Sequence, residues 1–227
     1  MPKSSIERRA PLAVTFHTTV LPGVKEWLQM LYYRPLFWSA DCLVFVCETQ
    51  RRYWLRRGVF SRRVEVVYNG VDTKRYHPAA PEERTGARAA LGVAAGATVM
   101  MAVGSLKPLK GLDLLLRAVA PVLRGGNDVR LVLVGDGPDR TTLEALAREL
   151  GGGDRTVFAG LRDDVDVMLR AADILVLPSH TEALPTVILE AMASGLPVVA
   201  TRVGGVPELV EPDRNAMLVP PGDEQGL

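Results

Sequence analysis

The residues best suited to chemistry in this chain are two glutamates eight positions apart, Glu182 and Glu190, inside PSHTEALPTVILEAMASGLPVVAT, residues 178–201. Pro185 between them has no N–H to lose and a φ already suited to a first helical position, so the pattern predicts a helix from Pro185 towards Ser194, stopped by Gly195. The first turn of such a helix leaves N–H groups without intrahelical acceptors, and the aligned peptide dipoles make that end electropositive, which suits a phosphate. Glu190 lies one to two turns further on among Val187, Ile188, Leu189, Ala191 and Met192, in a helix too apolar to have a wide solvated face. An ionised carboxylate only accepts hydrogen bonds, and the vicinal hydroxyls of a ribose would satisfy it there. Phosphate at the helix start with ribose beside its second turn describes a nucleoside diphosphate. The same residues admit a plainer reading, in which Glu182 complements the helix dipole and Glu190 pairs with an arginine.

The elements that must position this stretch follow from hydrophobic period. From Ala97 the chain alternates apolar runs (ATVMMAVG, RLVLVG, TVFAG, ILVLP, LPVVAT, MLVP) with amphipathic segments at Leu112–Leu123, Arg140–Leu150, Asp164–Ala171, Pro185–Ser194 and Val206–Val210. Near-continuous apolar strands separated by helices predict a doubly wound α/β domain with a parallel sheet covered on both faces. Upstream, PLAVTF, Asp41–Val46 and Val64–Tyr68 read as three more strands. A helix over Val24–Trp38 is interrupted by Pro35, and its aromatics Trp27, Tyr32, Tyr33, Phe37 and Trp38 are expected in a core or cleft wall. Asn69-Gly70 is a turn, and the expected organisation is one domain over residues 1–78 and a second over 79–227.

Other groups at strand ends are candidates. GSLKPLKG follows the first strand of the second domain and places Lys107 and Lys110 at the carboxyl edge of the sheet, where an ammonium can meet a diphosphate; Lys110-Gly111 is the preferred pair. GDGPD follows the next strand, but position 140 is Arg where a dinucleotide fingerprint has its third glycine, so a simple strand-to-helix turn is expected. PLAVTF delivers His17 to the carboxyl end of its strand, as a structural donor or as a site residue. Cys42 and Cys47 in CLVFVC read as core thiols on opposite faces of a strand, and no Cys/His cluster has metal-ligand spacing. Arg51, Arg52, Arg56 and Arg57 interleave with Trp54 and precede Phe60; such a segment is a solvated helix face or a peripheral contact with an anionic membrane. The 227 residues are 48% hydrophobic and 23% charged with net charge +1, which argues against disorder and gives no global field for nucleic acid. No apolar run is long enough to span a bilayer and MPKSSIERRA lacks a signal-peptide core, so the expected location is the cytoplasm.

PS-x-x-E-A-L-P-x-x-x-L-E-A-M-A-x-G-x-P-V-V-A-T, with E-x7-E inside it, resembles the family 4 (group 1) retaining glycosyltransferases of the GT-B fold, as do TFHT and the VYNGVDTKRYHP segment. The resemblance implies two Rossmann-like domains, a nearly complete donor domain preceded by part of an acceptor domain, and transfer of a hexose from a UDP- or GDP-sugar to an acceptor such as a lipid or polysaccharide. It implies no cofactor and no metal. Residue by residue, it places Glu182 by the donor hexose, backbone N–H groups of Leu184, Thr186 and Val187 by sugar and phosphate, Glu190 on the ribose and Gly160-Leu161 beside the base. Lys110 would neutralise the leaving diphosphate, and His17 would help position the transferred sugar. The family has an Arg five residues before that Lys; here the position is Ser105, so either Lys107 supplies a second cation or the leaving group is less well neutralised. The family pattern also extends beyond both ends of this sequence, which implies a truncated chain or one subunit of a split enzyme that binds donor or a completing partner chain without transferring sugar alone. A sugar-nucleotide epimerase shares the architecture.

Overall fold

The computed structural model describes residues 10–17, 24–212 and 214–227, with the side chains of residues 25–27 left aside. Trp27 lies outside the described side chains. By packing the chain forms two compact units, ending at Tyr68 and beginning at Asn69.

The first unit holds β1 (Ala13–Phe16), α1 (Val24–Ser39), β2 (Cys42–Phe45), α2 (Glu48–Leu55) and β3 (Val64–Val66), with the strands parallel in the order β1-β2-β3. Phe16 is the centre of its core, with ring centroids 5.1 Å from Phe37, 4.9 Å from Phe45 and 5.4 Å from Trp54. Such tilted aromatic pairs add to the large apolar area that each ring buries. Pro35 sits inside α1 without ending it. Of the aromatics on this helix, Phe37 is core, whereas Tyr32 is 80% exposed and Tyr33 and Trp38 are about half exposed. Two expectations are corrected here. Cys47 is not on the strand: the chain leaves β2 at Phe45, and the Cys47 Sγ caps α2 by accepting from Gln50 N at 3.4 Å. Trp54 is 1% exposed and belongs to the core, so it offers no surface for a membrane; Gln50 and Trp54, four apart, form the inward stripe of α2. Phe60 remains exposed and stacks on Trp38 at 5.5 Å, Arg57 lies over the Tyr53 ring, and Arg51 pairs with Glu48. Among the described residues no helix is long and apolar enough to cross a membrane.

The second unit begins with α3 (Pro81–Ala90) and then alternates β4 (Thr98–Val103), α4 (Leu112–Arg124), β5 (Val129–Val134), α5 (Arg140–Glu149), β6 (Thr156–Gly160), α6 (Val165–Ala171), β7 (Ile174–Leu177), α7 (Thr186–Ala193), β8 (Val198–Thr201), α8 (Val206–Leu209) and β9 (Ala216–Val219). All six strands are parallel, in the spatial order β6-β5-β4-β7-β8-β9. The chain therefore winds outward from β4 in one direction, returns, and winds outward from β7 in the other. Two apolar layers cover the sheet, one including Met101, Leu175 and Ile188, the other Leu115, Leu131 and Leu143. The buried Arg88 of α3 bonds the Ala171 and Ala97 carbonyls and the Asp173 carboxylate, which also accepts from Val99 N, so α3 is tied to the sheet by a paired charge.

Candidate functional site

In a doubly wound sheet ligands bind beyond the carboxyl ends of the strands where the winding reverses, here between β4 and β7. The loops leaving these two strands carry Lys110 and Glu182. Lys110 Nζ lies 2.6 Å from Glu182 Oε1, with 29% of the lysine side chain and 10% of the glutamate side chain exposed. Topology thus joins two residues 72 positions apart.

Both loops are built by close backbone approach. Gly111 ends the short 3-10 turn Pro108–Lys110 at φ 61°, and a Cβ there would lie 2.3 Å from the Pro178 carbonyl oxygen. Gly204 does the same from beyond β8: at φ 53° its Cβ would fall 1.8 Å from the Glu182 carbonyl oxygen. His180 N donates to Leu109 O at 2.9 Å, Gly205 N to Ala183 O at 2.8 Å, and Asn69 Nδ2 to Leu184 O at 3.0 Å. The loop that presents Glu182 is therefore held from three directions. GDGPD serves this scaffold too, since Gly135 and Gly137 back onto the Gly104 and Leu106 carbonyls, where any Cβ would collide. Arg140, in the third-glycine position, ion-pairs with Asp136 and Glu144.

After Leu184, whose side chain is buried, Pro185 takes an extended ψ of 115° and is the N-cap, so α7 starts at Thr186, one residue later than the sequence pattern predicts. The cap has no side-chain hydrogen bond, and the N–H groups of Thr186 and Val187 precede any intrahelical acceptor. Ser194 and Gly195, the latter at φ 76°, end the helix as expected. Glu190, one turn beyond Thr186, is half buried. Burial pushes its carboxyl above the ordinary glutamate value, against the Thr186 hydroxyl and the Arg75 charge, which favour the ionised form. Arg75 itself is engaged by Asp166 at 2.9 Å and by Asp163 O at 2.7 Å. Tyr76 flanks the same carboxylate: burial first, then the Glu190 charge, raise its phenol.

The remaining candidates are placed as follows. Gly160 closes β6 at φ 73°, and its carbonyl accepts from Gly135 N. Leu161 is 81% exposed and lines a polar recess with Arg75, Arg162, Asp163, Asp164 and Asp166. Ser105 is half buried after β4, and its carbonyl accepts from Lys107 N. Lys107 lines a different groove, with Leu109, Asp113, Asp139, Thr142 and His180, a set without Lys110 or Glu182. His17 is exposed after β1 in the first unit. Ser179, Asn69 and Arg75 stand inside the PS-x-x-E and VYNGVDTKRYHP segments, but nothing in the sequence marks the contacts they make at this site, and Gly204 carries no signal that would have placed it there. Among the described residues no three His, Cys, Asp or Glu side chains are grouped to hold a metal ion.

Residues 97–227 match the sequence profile of the family described as Glycosyl transferases group 1, and residues 2–75 that of Glycosyltransferase Family 4. A D-inositol 3-phosphate glycosyltransferase of Saccharomonospora viridis is 44% identical over 174 residues, covering 71% of this chain and 39% of that protein. An N-acetyl-alpha-D-glucosaminyl L-malate synthase of Bacillus anthracis is 30% identical over 167 residues, 74% of this chain and 43% of that protein. The chain thus spans less than half the length of these relatives. The crystal structure of Anabaena Alr3699/HepE in complex with UDP and glucose is 29% identical with a TM-score of 0.87, covering 95% of this chain and 59% of that one. The chain belongs to the group 1, family 4 glycosyltransferases, and its two α/β units are those of the GT-B fold.

Proposed function

We propose that the second unit is the donor site of a retaining hexosyltransferase, taking a UDP- or GDP-hexose without a metal ion. The observation that carries this reading is the Lys110–Glu182 pair at the reversal of strand order, with the start of α7 and then Glu190 following on the same side of the sequence. In this reading the α7 N-terminus and Lys110 meet the diphosphate, Glu190 accepts from the ribose hydroxyls, Glu182 from the hexose, and the base lies by Gly160 and Leu161. Transfer breaks the bond between the anomeric carbon and the β-phosphate oxygen; the acceptor oxygen forms the new bond and gives up its proton. Negative charge develops on the departing nucleoside diphosphate, and a fixed ammonium with helix N–H groups stabilises that charge where it appears. The resemblance to Alr3699/HepE, a structure in complex with UDP and glucose, supports a uridine donor. The role implied for His17 in positioning the sugar belongs to the same proposal.

Calorimetric titration of the chain with UDP, GDP and their glucose conjugates tests the reading. Saturable binding of one base over the other, lost on Glu190→Ala with the fold retained, is the expected result. A folded chain that binds none of the four refutes it.

A further inference from the structure

Glu182 has two carboxylate oxygens, and the structure uses them unequally. Lys110 Nζ at 2.6 Å and Ser179 Oγ at 2.7 Å both donate to Oε1. An ionised carboxylate oxygen has about two lone-pair directions, so Oε1 is saturated. Oε2 has no partner among the described residues, and it is not one of the sealed polar atoms that lack one. Ser179 is completely buried, three residues before the glutamate on the loop that leaves β7. Its own carbonyl accepts from the Thr201 hydroxyl, also fully buried at the end of the neighbouring strand β8. A chain of contacts therefore runs from β8 through Ser179 to Glu182 and ends on the Lys110 ammonium.

We infer that Ser179 is a positioning residue of the donor site: its buried hydroxyl fixes Glu182 Oε1 on Lys110 and so leaves Oε2 as the acceptor for a pair of hexose hydroxyls. The inference rests on the donor-site reading above and deepens it. Lys110 alone cannot impose this division, because an ammonium on a flexible stem can serve either oxygen. Ser179, held at its carbonyl by Thr201, can donate only where its short side chain reaches. The consequence is a split between the two halves of the ligand: Ser179 acts on recognition of the sugar and leaves the nucleotide alone.

Titration of Ser179→Ala and Glu182→Gln with UDP and UDP-glucose reads this split. The expected result for Ser179→Ala is UDP affinity within about twofold of the parent and UDP-glucose affinity about tenfold weaker, the loss that goes with a hydrogen bond to a charged group. Ser179→Thr, which keeps the hydroxyl, restores it, and adding Ser179→Ala to Glu182→Gln costs little more, because both act through one carboxylate. Ser179→Cys, close in volume and a weak donor, carries the same comparison if the alanine variant loses its fold. UDP-glucose affinity unchanged in Ser179→Ala but reduced in Glu182→Gln overturns the positioning role and leaves the donor site standing; equal weakening of both ligands overturns it likewise. UDP-glucose affinity unchanged in Glu182→Gln removes the glutamate from sugar recognition and overturns this inference while the nucleotide site stands; no binding of either probe by the parent removes the donor-site reading and this inference with it.

Discussion

Gly204→Ala tests whether the loop carrying Glu182 is as tightly determined as its contacts imply. Gly204 has φ 53°, and a Cβ there would stand 1.8 Å from the Glu182 carbonyl oxygen and 2.7 Å from its carbonyl carbon. The left-handed conformation costs an ordinary residue about 1–2 kcal/mol. The contact must also open by more than 1 Å, roughly, to reach van der Waals separation, and the obstacle is backbone rather than a side chain that can swing away. Overpacking of this kind adds about 1–3 kcal/mol, for a total of about 2–5 kcal/mol. For a domain of this size that lowers the melting temperature by about 5–15 °C. Any relief moves the Glu182 peptide, so UDP-glucose affinity falls with it in titrations well below the melting point. Gly86→Ala is the control: Gly86 is exposed inside α3, an added Cβ meets nothing within 4 Å, and the change stabilises by about 0.5–1 kcal/mol through helix propensity. A Gly204→Ala chain that melts and binds UDP-glucose like the parent would refute the reasoning, because a loop that yields so easily cannot hold Glu182 in place.

Lys110→Ala weakens UDP binding about ten- to hundredfold, as expected for losing a charge-assisted phosphate contact, and an unaltered affinity in calorimetry removes Lys110 from the site. Glu190 gives a pH signature: because burial raises its pKa above the unfolded value, the native state holds the proton more tightly, and stability falls as pH rises from the unfolded to the folded value. Glu190→Gln is therefore more stable than the parent at about pH 7.5 by a margin that vanishes near about pH 4, read by thermal melts; a margin independent of pH contradicts the shift. Trp54→Ala costs about 3–5 kcal/mol in urea unfolding, since it empties the centre of the first unit's core, whereas Phe60→Ala costs less than about 1 kcal/mol; a Trp54→Ala chain of parental stability would contradict that burial.

What the sequence carried was order along the chain, because period and punctuation are local. The alternation of apolar runs and helices, Gly195 as a helix stop, Lys110 at a strand end and Glu182 just ahead of a helix were all legible in that way. The one-residue error at Pro185 is local as well: a proline suits an N-cap with extended ψ as readily as a first helical position, and only the backbone decides. Errors grew where one pattern fitted two environments. Trp54 among arginines has the spacing of a membrane-facing stripe and equally of a core stripe, and the cluster that includes Phe16 from β1 and Phe45 from β2 decides for the core. Cys47 closes the apolar run CLVFVC and so reads as a strand neighbour of Cys42, but the strand ends at Phe45 and Cys47 caps α2.

The contacts that make the site rigid were illegible for a different reason. Gly204 against Glu182, Thr201 against Ser179 and Gly111 against Pro178 each join residues that meet only because β4, β7 and β8 lie side by side. No period records such a meeting; a small residue after a strand is common, and its purpose depends on the backbone it faces. The strand order is what converts these scattered residues into one site. With β4 and β7 adjacent, their loops must share the carboxyl edge of the sheet, and β8 beside β7 supplies the Thr201 hydroxyl and the Gly204 backbone that brace the glutamate loop. An insertion that separated β7 from β8 would therefore loosen Glu182 even with every residue of the E-x7-E stretch unchanged, because the motif names the groups and the neighbouring strand holds them.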